Sequence, residues 1–171
     1  MRLALILLVI LILGALAYGA WNEFHAVRAE LVSQREAIGS EWAQVDLAMQ
    51  RRADLILTLE PPTRRATYRE AGLWLELREA CAKLAAAVTP AARIQANMRV
   101  SELLSQVTKL ESSATLQRLA DAENRIDVER RRYNEMLEHY NAEIQRFPEN
   151  IVASLAGFHR DDAYLPTATG H

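Results

Sequence analysis

Residues 114–148 read ATLQRLADAENRIDVERRRYNEMLEHYNAEIQRFP. Leu119, Ile126, Tyr133, Tyr140 and Phe147 recur every seven residues, and Leu137 and Ile144 each stand four positions after a member of that row. A seven-residue apolar repeat lines these side chains along one seam of an α-helix, and other helices must cover that seam. The stretch has no glycine and its one proline closes it, so the spacing predicts a helix over 114–146. Beyond Pro148, Ile151, Val152 and Leu155 give a short helix over 149–156 an apolar face suited to a membrane surface. Gly157 is its natural C-terminal cap. Residues 159–171 hold proline and glycine without periodicity and read as a flexible tail.

The chain before this stretch follows the same rule. Leu31, Ile38, Val45, Arg52 and Leu59 recur every seven residues, with Trp42, Met49 and Ile56 as a second row. Only Arg52 interrupts the apolar seam, and the pattern predicts a helix over 22–59. Pro61-Pro62 stops it, and Thr63 is a plausible N-cap for a second helix over 64–88. Leu73, Leu77, Ala80, Cys81, Leu84 and Val88 share its inner face, where Cys81 reads as a small core residue. Thr89-Pro90 reads as N-cap and first residue of a third helix over 90–111, faced by Ile94, Met98, Leu104 and Val107.

Ser112-Ser113 either breaks the chain or lies inside one long helix. At 1.5 Å per residue the first soluble helix rises about 57 Å, the second returns about 37 Å, the third rises about 30 Å and the fourth returns about 50 Å. These sum to about zero only with a break at the serines. The expected fold is therefore all-α: an antiparallel, up-down-up-down bundle of long helices joined by short loops.

Residues 3–20 carry no charge and are mostly Leu, Ile, Val and Ala. Such a run makes roughly 28 Å of helix, close to one hydrocarbon core. Tyr18 and Trp21 stand where interfacial aromatics are expected. Residues 1–21 thus read as a transmembrane signal-anchor continuous with the first bundle helix, and residues 22–158 as the bundle. The basic end at Arg2 favours a cytoplasmic N-terminus and an extracytoplasmic bundle. The alternative is a cleaved signal peptide, with Ala15-Leu16-Ala17 as the site, although the run is long for one.

Composition narrows the chemistry. The net charge of −2 gives no electrostatic case for nucleic acid, and one cysteine excludes an internal disulfide framework or a cysteine-based zinc site. The basic run Arg130-Arg131-Arg132 sits among Asp127, Glu129, Glu135 and Glu138 and reads as a solvated helix face. Neither His25 nor His139 has the Glu-x-x-His spacing of helical metal sites, and no nucleotide-binding or hydrolase motif occurs. No metal, cofactor or catalytic residue is therefore expected. Glu123, Asp127, Arg130, Asn134 and Asn141 share one face of the fourth helix, and Asp46, Arg51, Arg52 and Asp54 lie among the core positions of the first. They read as a polar network between helices, with Glu123 and Arg130 as the expected inter-helix pairing group, or as a binding site.

Glu123-Asn124-Arg125-Ile126, then Arg130, Tyr133-Asn134, Tyr140-Asn141 and Phe147-Pro148 resemble the C-terminal signature of the LemA family. Trp42-Ala43-Gln44-Val45-Asp46, Arg51-Arg52 and Asp54-Leu55-Ile56 resemble its N-terminal signature, and Gly157-Phe158 also fits. The middle departs: Leu57-Thr58-Leu59-Glu60-Pro61-Pro62 stands where the family has an apolar-Pro-Asn run, and no Tyr-Pro turn follows Glu111. The resemblance implies a bacterial, membrane-anchored helical bundle without established enzymatic activity, in which Tyr133, Asn134, Tyr140 and Asn141 matter. It makes a scaffold or adaptor of the cell envelope, held single-pass in the inner membrane, the expected function. Other envelope proteins are the expected partners, and a homo-oligomer is left open. A small-molecule- or lipid-responsive envelope sensor is the alternative, and a bundle-core metal enzyme the remaining one.

Overall fold

The structure, a computed structural model, describes residues 2–59, 67–107 and 113–166. Five helices follow one another among them: α1 (Arg2–Thr58), α2 (Tyr68–Ala86), α3 (Pro90–Val107), α4 (Ser113–Glu143) and α5 (Glu149–Ala156). The described residues contain no strand. α1 runs unbroken from the apolar run into the heptad region, as the pattern requires. None of the side chains described between Ile6 and Ala20 is buried, which leaves the most apolar surface of the chain uncovered.

Helix ends follow local chemistry. α2 starts at Tyr68, four residues later than the proline pair implies; Thr63 lies outside the described residues. Its cap is Thr67: the hydroxyl accepts from the Glu70 N–H, and the Glu70 carboxylate accepts from the Thr67 N–H at 2.6 Å. This reciprocal pair satisfies two otherwise orphaned donors of the first turn. Thr89 Oγ1 accepts from the Ala92 N–H, so α3 begins on a capping threonine followed by Pro90. α4 begins at Ser113, and Glu111 and Ser112 lie outside the described residues. It ends at Glu143, short of 146, because Gln145 and Arg146 bond back to Ala142 and Glu143 in tight turns. Gly157 closes α5 at φ 75°, in the left-handed region, and the Phe158 N–H reaches the Ala153 carbonyl at 2.9 Å.

The chain divides into two compact units. One comprises Met1–Gly39 and Glu135–Tyr164, the other Ser40–Asn134 and Leu165–His171. In the second unit the pairings give the helix directions. Along α1, Asp46 meets Arg93 and Arg52 meets Asn97 and Ser101, so α3 runs parallel to α1. Trp42 meets Tyr133 and Arg52 meets Glu123, so α4 runs antiparallel to it. Arg99 of α3 bonds Glu76 of α2 across the short 87–89 turn. Up-down-up-down order follows. Val45, Met49, Ile56, Leu77, Cys81, Leu84, Val100, Leu103, Leu119 and Ile126 fill the core between these helices.

Two faces differ from the periodic reading. On α2 Trp74 is buried, while Val88 is exposed just past the helix. On α3 Val100 and Leu103 are buried with Asn97, whereas Met98 faces outward. The inner face of α3 is therefore Asn97, Val100, Leu104 and Val107, spaced three, four and three.

Candidate functional site

Arg52 is the largest fully buried side chain among the described residues. It occupies a heptad position where an aliphatic residue belongs, so its charge must be met from inside. Its Nη2 donates to the Asn97 side-chain carbonyl at 2.7 Å and to the Asn97 backbone carbonyl at 3.3 Å. Its Nη1 donates to Ser101 Oγ at 2.8 Å and pairs with the Glu123 carboxylate. The guanidinium thus ties α1 to α3 and α4 at once. Its Nε is buried and has no partner among the described residues. The pairing is not the expected one: Glu123 answers Arg52, while Arg130 pairs with Asp127 on its own helix at 3.2 Å. The seven-residue spacing of Glu123 and Arg130 puts them on one side of α4, whereas Arg52 faces that side from α1.

A second pair flanks this network. Asp46 accepts from Arg93 at 2.5 Å and from Gln50 at 2.7 Å. Glu129, nearly fully buried, is held by Arg125 at 2.7 Å and Arg132 at 3.3 Å, whose own side chains reach solvent. Arg131 and Arg132 are solvated as the charge pattern implies; Arg130 is not.

Beside Arg52 the second unit contains a cavity of about 270 Å³. Val45, Met49, Ile94 and Met98 form its apolar walls, Asn97, Ser101, Glu123 and Arg130 its polar ones, and Leu165 and Pro166 a further side. Leu165 is held there by Asn134: the amide donates to the Leu165 carbonyl, and its oxygen accepts the Leu165 N–H, both at 2.8 Å. A more apolar hollow of about 590 Å³ between α3 and α4 shares Ser101 and Glu123 with it.

In the first unit Asn141 does the same to another part of the C-terminal segment. Its Nδ2 donates to the Asp161 carbonyl at 2.6 Å and the Tyr164 hydroxyl at 3.0 Å, and its Oδ1 accepts the Asp161 N–H at 2.9 Å. Tyr140 donates its hydroxyl to the His159 carbonyl at 3.2 Å, and burial pushes its phenol up from the usual range. Phe158 lies under the Arg35 guanidinium, 5.9 Å away. Residues 159–165, which lack periodicity and read from sequence as a loose tail, are thus a bonded strap as far as Leu165; 167–171 lie outside the described residues. An asparagine amide sets an N–H donor beside a carbonyl acceptor, the pair an extended backbone offers in reverse, so a single side chain can hold a strap without a second strand.

The remaining sequence candidates divide by exposure. Trp42 packs edge-on to the buried Tyr133, ring centroids 6.1 Å apart. Asn124, Phe147 and Pro148 are exposed. Of the surface-helix residues, Ile151 and Leu155 face outward, but Val152 is buried with Ala153 and belongs to the core side of α5. Cys81 is fully buried, and burial pushes its thiol up, as befits a packing residue. Sequence reasoning misses Asn97, Ser101 and Glu129; the apolar spacing about Asn97, and the arginines four before and three after Glu129, are the available signals.

These features define an all-helical protein with one helix, among those described, long and apolar enough to cross a membrane, and with a buried arginine network in its core. The LemA family model matches residues 41–169, three quarters of the chain, and the protein belongs to the LemA family. No curated protein matches the chain.

Proposed function

We propose that the chain is a membrane-anchored scaffold or adaptor of the bacterial envelope, held single-pass in the inner membrane with its bundle outside the cytoplasm, and without catalytic activity. The observation that carries this is α1: an uncovered apolar segment that continues, without a break, into the buried seam of a helical bundle. The polar residues of the family signature support it. Arg52, Asn134 and Asn141 spend their hydrogen bonds on neighbouring helices and on the strap.

A tag after His171 tests the reading in cells. Sedimentation with membranes, accessibility of the tag to external protease, and crosslinks to envelope proteins are the expected results. A soluble tag rules out the anchor, and a protected one reverses the orientation. Membrane association without any crosslinked protein removes the scaffold.

The second reading, a small-molecule sensor, is favoured by the 270 Å³ cavity, whose polar wall includes Glu123 and Arg130. Its ligand would combine an apolar body with hydrogen-bonding groups at one end. Native mass spectrometry of protein purified from cells should then show a bound small molecule, lost on replacing Met49 by Trp.

A further inference from the structure

The first unit carries an apolar stripe that its own fold leaves uncovered. Phe147, Ile151 and Leu155 follow at four-residue intervals and are 74%, 51% and 73% exposed, while Val152 and Ala153 on the other side of α5 are buried. Single exposed apolar residues are ordinary, but Ile151 and Leu155 one turn apart on α5, with Phe147 in the turn just before it, make a contact surface. Of the polar residues between them, Asn150 and Ser154 are uncharged, and Glu149 is half-buried.

Position along α1 says what covers the stripe. Trp21 marks the end of the apolar run. Gln34 and Arg35, which meet Glu143 and Phe158, follow it by about 20 Å at 1.5 Å per residue. Both ends of the segment that contains α5 are therefore fastened at that level. Leu31, one turn closer to the run, is 1% exposed, so covering chain extends toward the run from there. Hung from that level, α5, about 12 Å long, can reach back toward the bilayer, where the polar layer of a leaflet is about 5–8 Å thick. Side-chain reach and the average tilt of about 20° for a spanning helix close the remaining gap on one flank.

We infer that α5 is a second membrane contact: Phe147, Ile151 and Leu155 seat in the polar surface of the same bilayer that α1 crosses. The inference rests on reading α1 as a membrane span. The occupant is the lipid surface itself, because the stripe lies in the same compact unit as the span and is tethered at both ends about 20 Å from its edge. With no cationic residue between Phe147 and Leu155, seating depends on apolar insertion rather than on anionic headgroups.

The test uses the full chain in phosphatidylcholine vesicles, with a single environment-sensitive fluorophore on Ile151→Cys, Leu155→Cys, Leu75→Cys (70% exposed on α2) or Leu11→Cys. Cys81, fully buried, stays unlabelled in the folded chain. Nitroxide lipids carrying the spin label near the headgroup or deep in the acyl chain then report depth. Labels at 151 and 155 should be quenched by the shallow nitroxide and give blue-shifted emission, the label at 75 should report water, and the label at 11 should be quenched by the deep nitroxide. Quenching should persist at high salt. If 11 is quenched while 151 and 155 behave like 75, the seating is wrong and the anchor stands. Absence of quenching at 11 removes the anchor and the seating together. Leu155→Asp, read through the label at 151, should move that label into water with helicity unchanged; continued shallow quenching overturns the role of the stripe.

Discussion

Replacing Glu123 by alanine should destabilise the chain more than replacing Glu123 and Arg52 together. The single change leaves a guanidinium with no exposed surface, held only by Asn97 and Ser101. Breaking a buried ion pair from one side costs about 3–5 kcal/mol. The Glu123 side chain is 34% exposed, so water enters part of the gap, and we expect the lower end, about 2–3 kcal/mol. At about 2–4 °C per kcal/mol for a chain of this size, Tm should fall by about 5–10 °C. Arg52→Met removes the charge instead and keeps the volume. Its cost is the unpaired Asn97 carbonyl and Ser101 hydroxyl, about 1–3 kcal/mol. Combined with Glu123→Ala it leaves no charge buried, so the double variant should be more stable than Glu123→Ala alone by about 1 kcal/mol. Urea unfolding of the full chain in a mild detergent, followed by circular dichroism and tryptophan fluorescence, supplies the cycle. A double variant no more stable than Glu123→Ala would refute charge compensation as the reason for the pair.

Asn141→Ala should free the strap locally: faster hydrogen exchange at the Asp161 amide and faster proteolysis in 159–164, with helicity retained, since the lost bonds all end on the strap. Gly157→Ala places a side chain at φ 75°, with open space around it but the wrong backbone, and should cost about 1–2 kcal/mol by thermal unfolding. Cys81 should resist alkylation in the folded chain. Because burial raises its pKa, the folded state keeps a proton that the unfolded state releases above roughly pH 8.5. The stability it contributes is full below that pH and declines as pH rises through the folded value, and Cys81→Ala should flatten the decline.

What could be read in advance follows periodicity. The heptads of α1 and α4 give helix, direction and seam, because each side chain's place on a helix depends only on its spacing. The start of α2 is also written locally, in Thr67 and Glu70, although Pro61-Pro62 is the louder signal and points to Thr63. Pairing is another matter. Glu123 and Arg130 share a side of α4, yet the partner of Glu123 arrives from another helix, at an angle and depth that spacing along α4 does not encode.

The strap shows the same limit from the other side. Tyr133-Asn134 and Tyr140-Asn141 repeat at the heptad interval, so each pair sets an aromatic ring in the seam and an amide beside it. Spacing explains the ring, since Tyr133 and Tyr140 are buried on the apolar row. It cannot explain the amide, because the groups that satisfy it are, apart from the Tyr164 hydroxyl, backbone atoms of Asp161 and Leu165, whose identities carry no pattern. A segment bound through its backbone looks structureless in sequence, since nearly any side chain would serve in it. The readable half of such an interaction is the asparagine, and a repeated aromatic-asparagine pair on a helix seam is the sign that an irregular strand is held against it.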